Sequence, residues 1–551
     1  MCGLAGWVTT RHSADPGALA PMVDALAHRN AEEPLCALVD REPRRSVVMA
    51  ASLCDAELGI SLALDGALVN AAQLRAELGR HGYALRDKSD AETLLRAYQR
   101  WDKDVVKHLR GAFAFAIWDA GKHRLMLARD RYGQKPLHIA QAGGALCFAS
   151  EVKALVRAPG VQRDVDAAAV RDYLELRYVR GPRTLIAGVR KLAPGTYALW
   201  QFGNLRETRY WSPPDGDTNA SVLKTDQPVA GFIERLDEAV RLYMQSNRPV
   251  GAFLTGGYDS AAIVALMKRH QETVATFCAG FADDKSSELP AAAQVAKHFG
   301  TTHREIVLAR RELLERLPQL VANRDAPFHR PSDVALHLLA REAAREVKVA
   351  LSGEGSDEIL GGYRRHTFLR SLAPMVHRLY LMPITPPAEP NEQAPASALK
   401  RLLYYEQVSW LADSVLERAD RMSAAAALDL RAPYLDHPLA QYVSALPDAA
   451  RVRGLSTKWI LRKANERLLA DAALKPRKAG FRIALGELMR SEFKDLLGDH
   501  LRGERARVRA YYDGKALDRL LDEHLAGKRN HEEPLWTLLN LEIWHRTYHP
   551  G

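Results

Sequence analysis

The chain has 551 residues, of which 47% are hydrophobic and 26% are charged, a composition typical of a globular protein with more than one core. Its apolar runs stay well short of the ~18 residues that cross a bilayer, which excludes a membrane-spanning protein. The formal charge is +10, but Lys and Arg alternate with acidic residues and leucines, a pattern of solvated helix faces that argues against nucleic-acid binding.

The start of the chain and its cysteines predict a cytoplasmic, reducing setting. The first residues lack the basic segment and apolar stretch of a secretory signal. The five cysteines are scattered and form neither a CxxC pair nor a zinc-ligand spacing. Cys2 directly follows Met1, whose removal would leave a thiol beside a free α-amine, a nucleophile and a base in one residue. The alternative is a small apolar residue at the start of a buried strand.

Short alternating strands separated by turn residues dominate the N-terminal part of the chain. The clearest are "GAFAFAIWDA", "HRLMLARD" and "GALCFAS". Helices are predicted near Pro21–His28 and Ala71–His81. The stretch Ser212–Ser221 is rich in Pro, Gly, Asp and Ser, which favours a linker. We therefore predict two domains, at residues 1–211 and 222–551.

Strands and helices alternate after this linker. "RPVGAFL", "TVATFCAGF" and "VKVALS" have strand patterns, whereas "SAAIVALMKRH", "AAAQVAKHFG" and "DVALHLLAREAARE" have helical ones. This alternation predicts a doubly wound parallel sheet. The remainder is rich in helical patterns and is interrupted by a proline-rich loop at Met382–Ser397.

Two glycine-rich turns follow apolar strands in this half. In "FLTGGYDSAAIVAL", Gly256 and Gly257 lead into a helix that opens near Ser260, and such a turn brings backbone N–H groups to a phosphate. Asp259 could hold a divalent cation that bridges phosphates. A plain strand-to-helix turn is the alternative. The second turn, "VALSGEGSDEILGGY", carries three acidic residues, and parallel strands would bring both turns to one crevice.

These turns resemble the hallmark motifs of the asparagine synthetase family. The family's "SGGxDS" appears with Thr255 in place of the first Ser, and "LSGEGSDEILGGY" matches almost throughout. Further matches cover nearly the whole chain, among them "MCGLAGW", "LRGAFAFAIWD", "ARDRYGQKPLHIA", "FASEVKAL", "ADRMSAAAALDLRAPYLDHPLA", "STKWILRKA", "KAGFRIAL" and "LWTLLNLEIWHR". The resemblance implies an α/β protein: an N-terminal glutaminase-like αββα sandwich of the Ntn-hydrolase type, then a doubly wound parallel-sheet ATP-pyrophosphatase domain with a helical C-terminal region.

The resemblance also implies the chemistry. ATP adenylates a carboxylate and releases pyrophosphate, and a nitrogen nucleophile then displaces AMP to form an amide. Asp259 and Asp357 would hold Mg²⁺, and Lys458 would neutralise charge on the phosphates in the transition state. Glu354 would contact the adenylate or the incoming amine. The motifs imply ATP binding by Leu254, Thr255, Gly256, Gly257, Asp259, Ser260, Ala279, Ser352 and Gly353.

The N-terminal half departs from the family where glutamine should bind. The family's "HRGPD" falls on residues 28–32 without its Gly-Pro-Asp, and "SLCDAELGISL" lacks the arginine that clamps the glutamine carboxylate. Asp65 replaces an asparagine that donates to the oxyanion, and Ala67 replaces a glutamate. Cys2 and Asp90 remain. We therefore predict a weak or inactive glutaminase in which Cys2 and Asp90 are vestigial.

A substrate that carries its own amine would replace glutamine as the nitrogen source. The leading hypothesis is a macrolactam synthetase of the lasso-peptide-cyclase type, which joins the N-terminal amine of a precursor peptide to an Asp or Glu side chain. A protease and a leader-binding protein are its candidate partners. The alternatives are a glutamine-hydrolysing asparagine synthetase or related amidotransferase, a β-lactam-synthetase-type cyclase of small molecules, and a non-catalytic binding scaffold.

Overall fold

The computed structural model describes residues 3–10, 16–29, 35–42, 45–214, 226–281, 287–367, 397–469 and 483–549. Cys2, most of the predicted linker, nearly all of the proline-rich stretch Met382–Ser397 and most of the "KAGFRIAL" motif lie outside these residues.

Two six-stranded antiparallel sheets form the N-terminal domain. Their strands are β1 Ala5–Thr9, β2 Leu35–Glu42, β3 Arg45–Ala51, β4 Leu53–Asp55, β5 Ile60–Leu68, β6 Gly111–Asp119, β7 Arg124–Arg129, β8 His138–Ala142, β9 Ala145–Ala149, β10 Val189–Lys191, β11 Thr196–Gln201 and β12 Asn204–Arg209. The first sheet has the order β10-β8-β9-β1-β3-β2, and the second has the order β12-β11-β7-β6-β5-β4.

The two sheets pack face to face and are covered by helices on their outer faces. Val8 and Val47 of the first sheet share a core with Ala116 and Leu127 of the second. The first sheet is covered by α1 Ala20–Asp24, α5 Val152–Leu155 and α6 Ala167–Leu176, and the second by α2 Ala71–Arg80, α3 Asp90–Trp101 and α4 Val105–His108. The predicted αββα sandwich is confirmed.

Of the two helices predicted in this domain, the second is confirmed and the first is shorter than predicted. Helix α2 covers Ala71–Arg80, as predicted. The helix predicted near Pro21–His28 is shorter, because α1 ends at Asp24 and a 3₁₀ turn, Ala27–Arg29, follows. Helix α3 was not predicted, although Ser89 caps it by accepting a hydrogen bond from the Glu92 amide.

The C-terminal domain is built on a five-stranded parallel sheet with the order β15-β14-β13-β16-β17. These strands are β13 Val250–Phe253, β14 Ala275–Gly280, β15 Thr302–Val307, β16 Val349–Leu351 and β17 Asp429–Arg431. Helices α7 Gln227–Tyr243 and α8 Tyr258–His270 pack on one face of the sheet, and α11 Ser332–Ala343 packs on the other. The sheet is therefore doubly wound, as predicted.

The remaining helices surround this sheet and form the helical C-terminal region. They are α9 Leu289–Phe299, α10 Arg310–Arg324, α12 Ser356–Leu360, α13 Ala398–Tyr405, a π-helical stretch Glu406–Leu416, α14 Glu417–Ala424, α15 His437–Ala445, α16 Trp459–Leu468, α17 Leu485–Arg490, α18 Lys494–Leu501, α19 Gly514–Leu525 and α20 Glu532–Tyr548. None of the helices in the described part of the chain is long and apolar enough to span a membrane.

The two domains share a continuous hydrophobic core. Leu155 and Tyr173 of the N-terminal domain pack in the same cluster as Leu320 and Leu538. The Tyr173 hydroxyl lies 3.2 Å from the backbone carbonyl oxygens of Phe328 and Thr537. The relative position of the domains is therefore fixed by packing as well as by polar contacts.

Candidate active site at the edge of the parallel sheet

The turn between β13 and α8 is shaped by one glycine and one buried hydroxyl. Gly256 has a φ of +69°, and a Cβ there would lie 2.6 Å from that of Ala291, so the position requires glycine. The Ser260 hydroxyl accepts a hydrogen bond from the Thr255 amide at 3.0 Å. It also lies 3.1 Å from the Thr255 hydroxyl. Ser260 thus holds the turn closed.

This turn presents the start of a thirteen-residue helix to the cavity described below. The first backbone N–H groups of a helix have no partner within the helix, and the helix dipole places partial positive charge there. Helix α8 begins at Tyr258, two residues before the predicted start at Ser260. The first turn of α8 is therefore suited to bind an anion such as phosphate.

The second glycine-rich turn, between β16 and α12, contacts the first. A Cβ at Gly353 would lie 2.8 Å from the Cβ of Asp259, so the two turns are in direct contact. Strands β13 and β16 are adjacent and parallel, which brings their carboxyl ends to one edge. The crevice predicted from the sequence is present.

Lys458 contacts both turns through its side-chain nitrogen. Its Nζ lies 2.6 Å from Asp259 Oδ1 and 2.9 Å from Asp357 Oδ1, and it donates to the Ser356 hydroxyl at 2.9 Å. Burial alone would lower the pKa of this lysine, but Asp259 and Asp357 outweigh burial and raise the pKa. Lys458 therefore remains a cation, held between the two carboxylates.

A cavity of about 1660 Å³ opens above these turns. The predicted site residues that line it are Thr255, Asp259, Ser260, Ala279, Ser352, Gly353, Glu354 and Asp357. Glu354 accepts a hydrogen bond from Arg418 in the cavity wall. Leu254 is not part of the lining: it is fully buried in the core, and Phe253 and Cys278 line the cavity beside Ala279. Gly256, Gly257 and Lys458 are not among the residues that line the cavity.

A tyrosine–glutamate pair beside the cavity was not predicted from the sequence. The Tyr363 hydroxyl donates to Glu358 at 2.5 Å, and Trp410 Nε1 donates to the Tyr363 oxygen at 3.3 Å. Burial, together with the negative charge of Asp357, raises the pKa of Glu358 to about 7. Glu358 and Tyr363 both lie in the quoted motif "LSGEGSDEILGGY", so their spacing was visible, but Trp410 and Arg418 carry no local signal.

Comparisons with known proteins identify the family of this chain. A family model described as "Asparagine synthase" matches residues 231–546, and one described as "Glutamine amidotransferase domain" matches residues 1–211. The chain belongs to the asparagine synthetase family. This synthetase is accordingly an ATP-dependent carbon–nitrogen ligase.

Two bacterial relatives of the synthetase match along most of their length. A Mycobacterium tuberculosis protein with the provisional name asparagine synthetase (glutamine-hydrolyzing) is 32% identical, over 88% of this chain and 84% of that protein. Asparagine synthetase (glutamine-hydrolyzing) 1 of Bacillus subtilis is 29% identical, over 87% and 84%. Among solved structures, glutamine phosphoribosylpyrophosphate amidotransferase from B. subtilis is 14% identical, and the match covers 68% of this chain and 79% of that protein's chain. The TM-score of 0.28 is too low to support an inference.

In the N-terminal domain of the synthetase, Arg29 and Asp65 form a buried ion pair with a nitrogen–oxygen distance of 3.0 Å. Asp65 is fully buried and accepts hydrogen bonds from Arg29 at 3.0 Å and from the Ser150 hydroxyl at 3.1 Å. Asp90 accepts a hydrogen bond from the Leu68 amide at 2.8 Å, and burial raises its pKa. Cys2 lies outside the described residues.

Arg29 also reaches across to the synthetase domain. It donates to Asp420 Oδ2 at 2.7 Å and Oδ1 at 3.1 Å, and to Glu151 at 2.9 Å. Lys135 donates to the same Asp420 at 3.1 Å. We call Arg29, Asp65, Lys135, Glu151 and Asp420 the interdomain charge cluster. Arg29 and Asp65 of this cluster fall on the two segments that resemble the family's "HRGPD" and "NGEIYN" motifs.

The interdomain charge cluster predicts a specific loss of stability in acid. Burial would raise the pKa of Asp420, but Arg29 and Lys135 outweigh burial and lower the pKa. A carboxyl group with a lowered folded-state pKa stabilises the fold above its unfolded pKa of about 4, and this stabilisation is lost as the pH falls through the folded-state pKa. We expect the difference in unfolding free energy between wild type and Asp420→Asn to be constant near neutrality and to shrink below about pH 4. Urea unfolding of both proteins across this range measures it, and a difference that does not change with pH would refute the ionised state of Asp420.

Proposed function

We propose that this enzyme closes a macrolactam ring in a ribosomal peptide. A carboxylate of the peptide attacks the α-phosphorus of ATP, forming an acyl adenylate and releasing pyrophosphate. An amine of the same peptide then attacks the acyl carbon, AMP leaves, and the amine loses its proton. The product is a cyclic amide, and no ammonia from glutamine is consumed.

The observation that carries the proposal is the pairing of Arg29 with Asp65 in the N-terminal domain. A glutaminase needs a cation for the substrate carboxylate and a donor for the oxyanion. Asp65 stands where the family has its asparagine donor, and an ionised carboxylate there repels an oxyanion. Arg29 is fully buried and directs its terminal nitrogens to Asp65, Glu151 and Asp420. Among the described residues, the cation at this position is therefore paired with buried carboxylates, which supports a function that does not use glutamine.

The size of the synthetase cavity also supports a large second substrate. Sites for small molecules usually enclose about 300–1,000 Å³. The cavity here is about 1660 Å³ and extends from the glycine-rich turns to Trp410, His329 and Arg364. This open cleft has room for a substrate larger than a free amino acid beside ATP.

The two carboxylates at the turns fit magnesium bound to ATP. Asp259 and Asp357 contact a single lysine nitrogen, so their oxygen atoms are close together beside the start of α8. The described residues contain no group of three or more metal-ligating side chains, and Mg²⁺ is commonly held by one or two carboxylates with substrate phosphates. The cation would neutralise charge on the phosphates when bound.

The chain's own residues would carry out the remaining work of the reaction. The first turn of α8 binds the departing pyrophosphate, and the positive charge of Lys458 stabilises the negative charge that develops on its oxygen atoms. Arg418 orients Glu354 at the wall next to the acyl group. Glu358, through the Tyr363 hydroxyl, is placed to accept the proton that the attacking amine loses.

Replacing Cys2 with alanine tests this function. We expect the variant to release pyrophosphate and form product at the wild-type rate, because the N-terminal thiol takes no part in the reaction. The measurement is pyrophosphate release with a linear precursor peptide, in the presence and absence of glutamine. Release that requires glutamine, or that is lost in Cys2→Ala, would overturn the proposal.

A second candidate function follows from the names of the relatives, which are glutamine-hydrolysing asparagine synthetases. Under this alternative the acceptor is free aspartate, and Cys2 releases ammonia from glutamine. Wild type would then produce glutamate from glutamine and asparagine from aspartate, and Cys2→Ala would retain only the reaction with added ammonia. Measuring glutamate and asparagine together with pyrophosphate release, in wild type and Cys2→Ala, therefore separates the two candidate functions.

A further inference from the structure

The N-terminal domain contributes residues to the wall of the synthetase cavity. Four consecutive residues, Glu175, Leu176, Arg177 and Tyr178, line the cavity although they belong to the N-terminal domain. Helix α6 ends where Arg177 adopts a left-handed conformation with a φ of +65°. This turn directs the following residue, Tyr178, toward the synthetase domain.

Tyr178 is part of an aromatic wall that crosses the domain boundary. Its ring lies edge-to-face against Trp410, with centroids 5.4 Å apart, and its hydroxyl lies 3.2 Å from the Ser409 hydroxyl. His329 lies edge-to-face on Trp410 at 5.2 Å. The three rings line the same cavity, and Trp410 connects them to the Tyr363–Glu358 pair through its indole N–H.

His329 has unsatisfied hydrogen-bonding capacity in this wall. Both of its ring nitrogens are buried and have no hydrogen-bond partner among the described residues. Burial, reinforced by Arg330 and Arg177, lowers the pKa of His329 to about 3, so the ring is neutral and has one donor and one acceptor. A buried polar group without a partner is costly, and rotation of the ring toward the cavity would let a ligand that both donates and accepts relieve this cost. A peptide amide is such a group.

The charges near this wall indicate the rest of the ligand. Arg330 and Arg364 are exposed and line the cavity on the side of the aromatic wall. Aromatic rings pack well against peptide planes and apolar side chains, and guanidinium groups pair with carboxylates. Aromatic rings beside exposed guanidinium groups therefore suit a peptide that contains an acidic residue better than they suit a free amino acid.

We infer that Tyr178, Trp410 and His329 form the binding wall for the peptide acceptor, so that the N-terminal domain completes the synthetase site instead of feeding it ammonia. The acceptor's identity as a peptide rests on the proposed function. The wall binds the peptide backbone next to the residue that is activated. The N-terminal domain is then needed for substrate binding even without glutaminase activity.

The experiment measures peptide binding without turnover. The probe is a pool of linear peptides with free amino termini, one internal glutamate and a fluorophore at the carboxyl terminus, with α,β-methylene ATP filling the nucleotide site. We expect Tyr178→Ala and His329→Ala each to weaken peptide binding about tenfold, because each removes a stacking or hydrogen-bonding partner, while the affinity for the nucleotide is unchanged. Tyr178→Phe, which keeps the ring, should bind the pool nearly as well as wild type.

Matched controls and product analysis make the outcomes distinct. Tyr512→Ala and His81→Ala remove the same side chains away from the cavity lining and should bind the pool like wild type. Wild-type affinity in Tyr178→Ala and His329→Ala, or no binding of the pool by wild type, would overturn the inference. If the two variants bind weakly but wild type never forms dehydrated peptide, the binding wall is supported and the proposed function is refuted. If ring-closed product forms while both variants bind the peptide pool like wild type, the proposed function is supported and the binding wall is refuted.

Discussion

Replacing Lys458 with alanine should lower the rate of ATP-dependent pyrophosphate release by about 10²–10³-fold, the usual cost of losing one preorganised group that stabilises transition-state charge. The variant removes the buried cation between Asp259 and Asp357. Two carboxylates would then face the phosphates without their lysine, so charge that develops on the departing pyrophosphate is opposed instead of stabilised. Pyrophosphate release with saturating ATP and precursor peptide measures the effect.

Helix α16 offers a matched control for this variant. Lys458 immediately precedes this helix, whereas Lys463 lies within it, has a side chain that is 43% exposed and pairs with Glu466 at 2.8 Å. Lys463→Ala should retain wild-type activity. Thermal unfolding of Lys458→Ala, with a folded state preserved at the assay temperature, separates a chemical defect from a failure to fold. Equal activity of Lys458→Ala and wild type would remove Lys458 from the mechanism.

Replacing Asp420 with alanine should lower the free energy of unfolding by about 3–5 kcal/mol, the cost of removing one partner from a buried ionic group. Asp420 is 6% exposed and faces both Arg29 and Lys135. Without Asp420, less negative charge lies beside these two buried cations, so the free-energy cost of removing them from water is no longer offset. Because Arg29 and Asp420 belong to different domains, we expect the variant to weaken the domain interface first.

The control for this effect is an exposed aspartate in an ion pair of similar length. Asp522 pairs with Arg502 at 2.6 Å, and its side chain is 66% exposed. Asp522→Ala should change the unfolding free energy by no more than about 1 kcal/mol, because surface ion pairs contribute little. Urea unfolding of both variants gives the comparison. Similar small values for the two would show that the interdomain charge cluster does not stabilise the fold.

Local sequence patterns were sufficient to predict the sheet edge and its two turns. Alternation of strand and helix patterns predicts a parallel sheet, and a parallel sheet brings its turns to one edge. The glycines at 256 and 257 predict a close backbone approach, and the structure adds that Gly256 has a left-handed conformation. The αββα sandwich, in contrast, was predicted through the family resemblance, because its alternating strands do not determine how two sheets pair.

Contacts between distant residues were not predictable from the sequence. Arg29 and Asp420 are 391 positions apart, and Tyr178 and Trp410 come from different domains. Nothing around Trp410 or Arg418 marks them as cavity residues. Lys458 would pass for a surface lysine without its motif, yet it is buried between two carboxylates. Leu254 was predicted at the adenosine pocket because it adjoins the motif, but strand alternation turns it into the core.

The most direct test of the account is the mass of the product formed from ATP and a linear precursor peptide without glutamine. We expect a peptide lighter by one water, because the amine and the carboxylate come from the same molecule, and we expect AMP and pyrophosphate to form in equal amounts. A carboxylate amidated by ammonia would instead be lighter by one mass unit. Amidation that depends on glutamine, with no dehydrated peptide, would contradict the account and identify the enzyme as an amidotransferase.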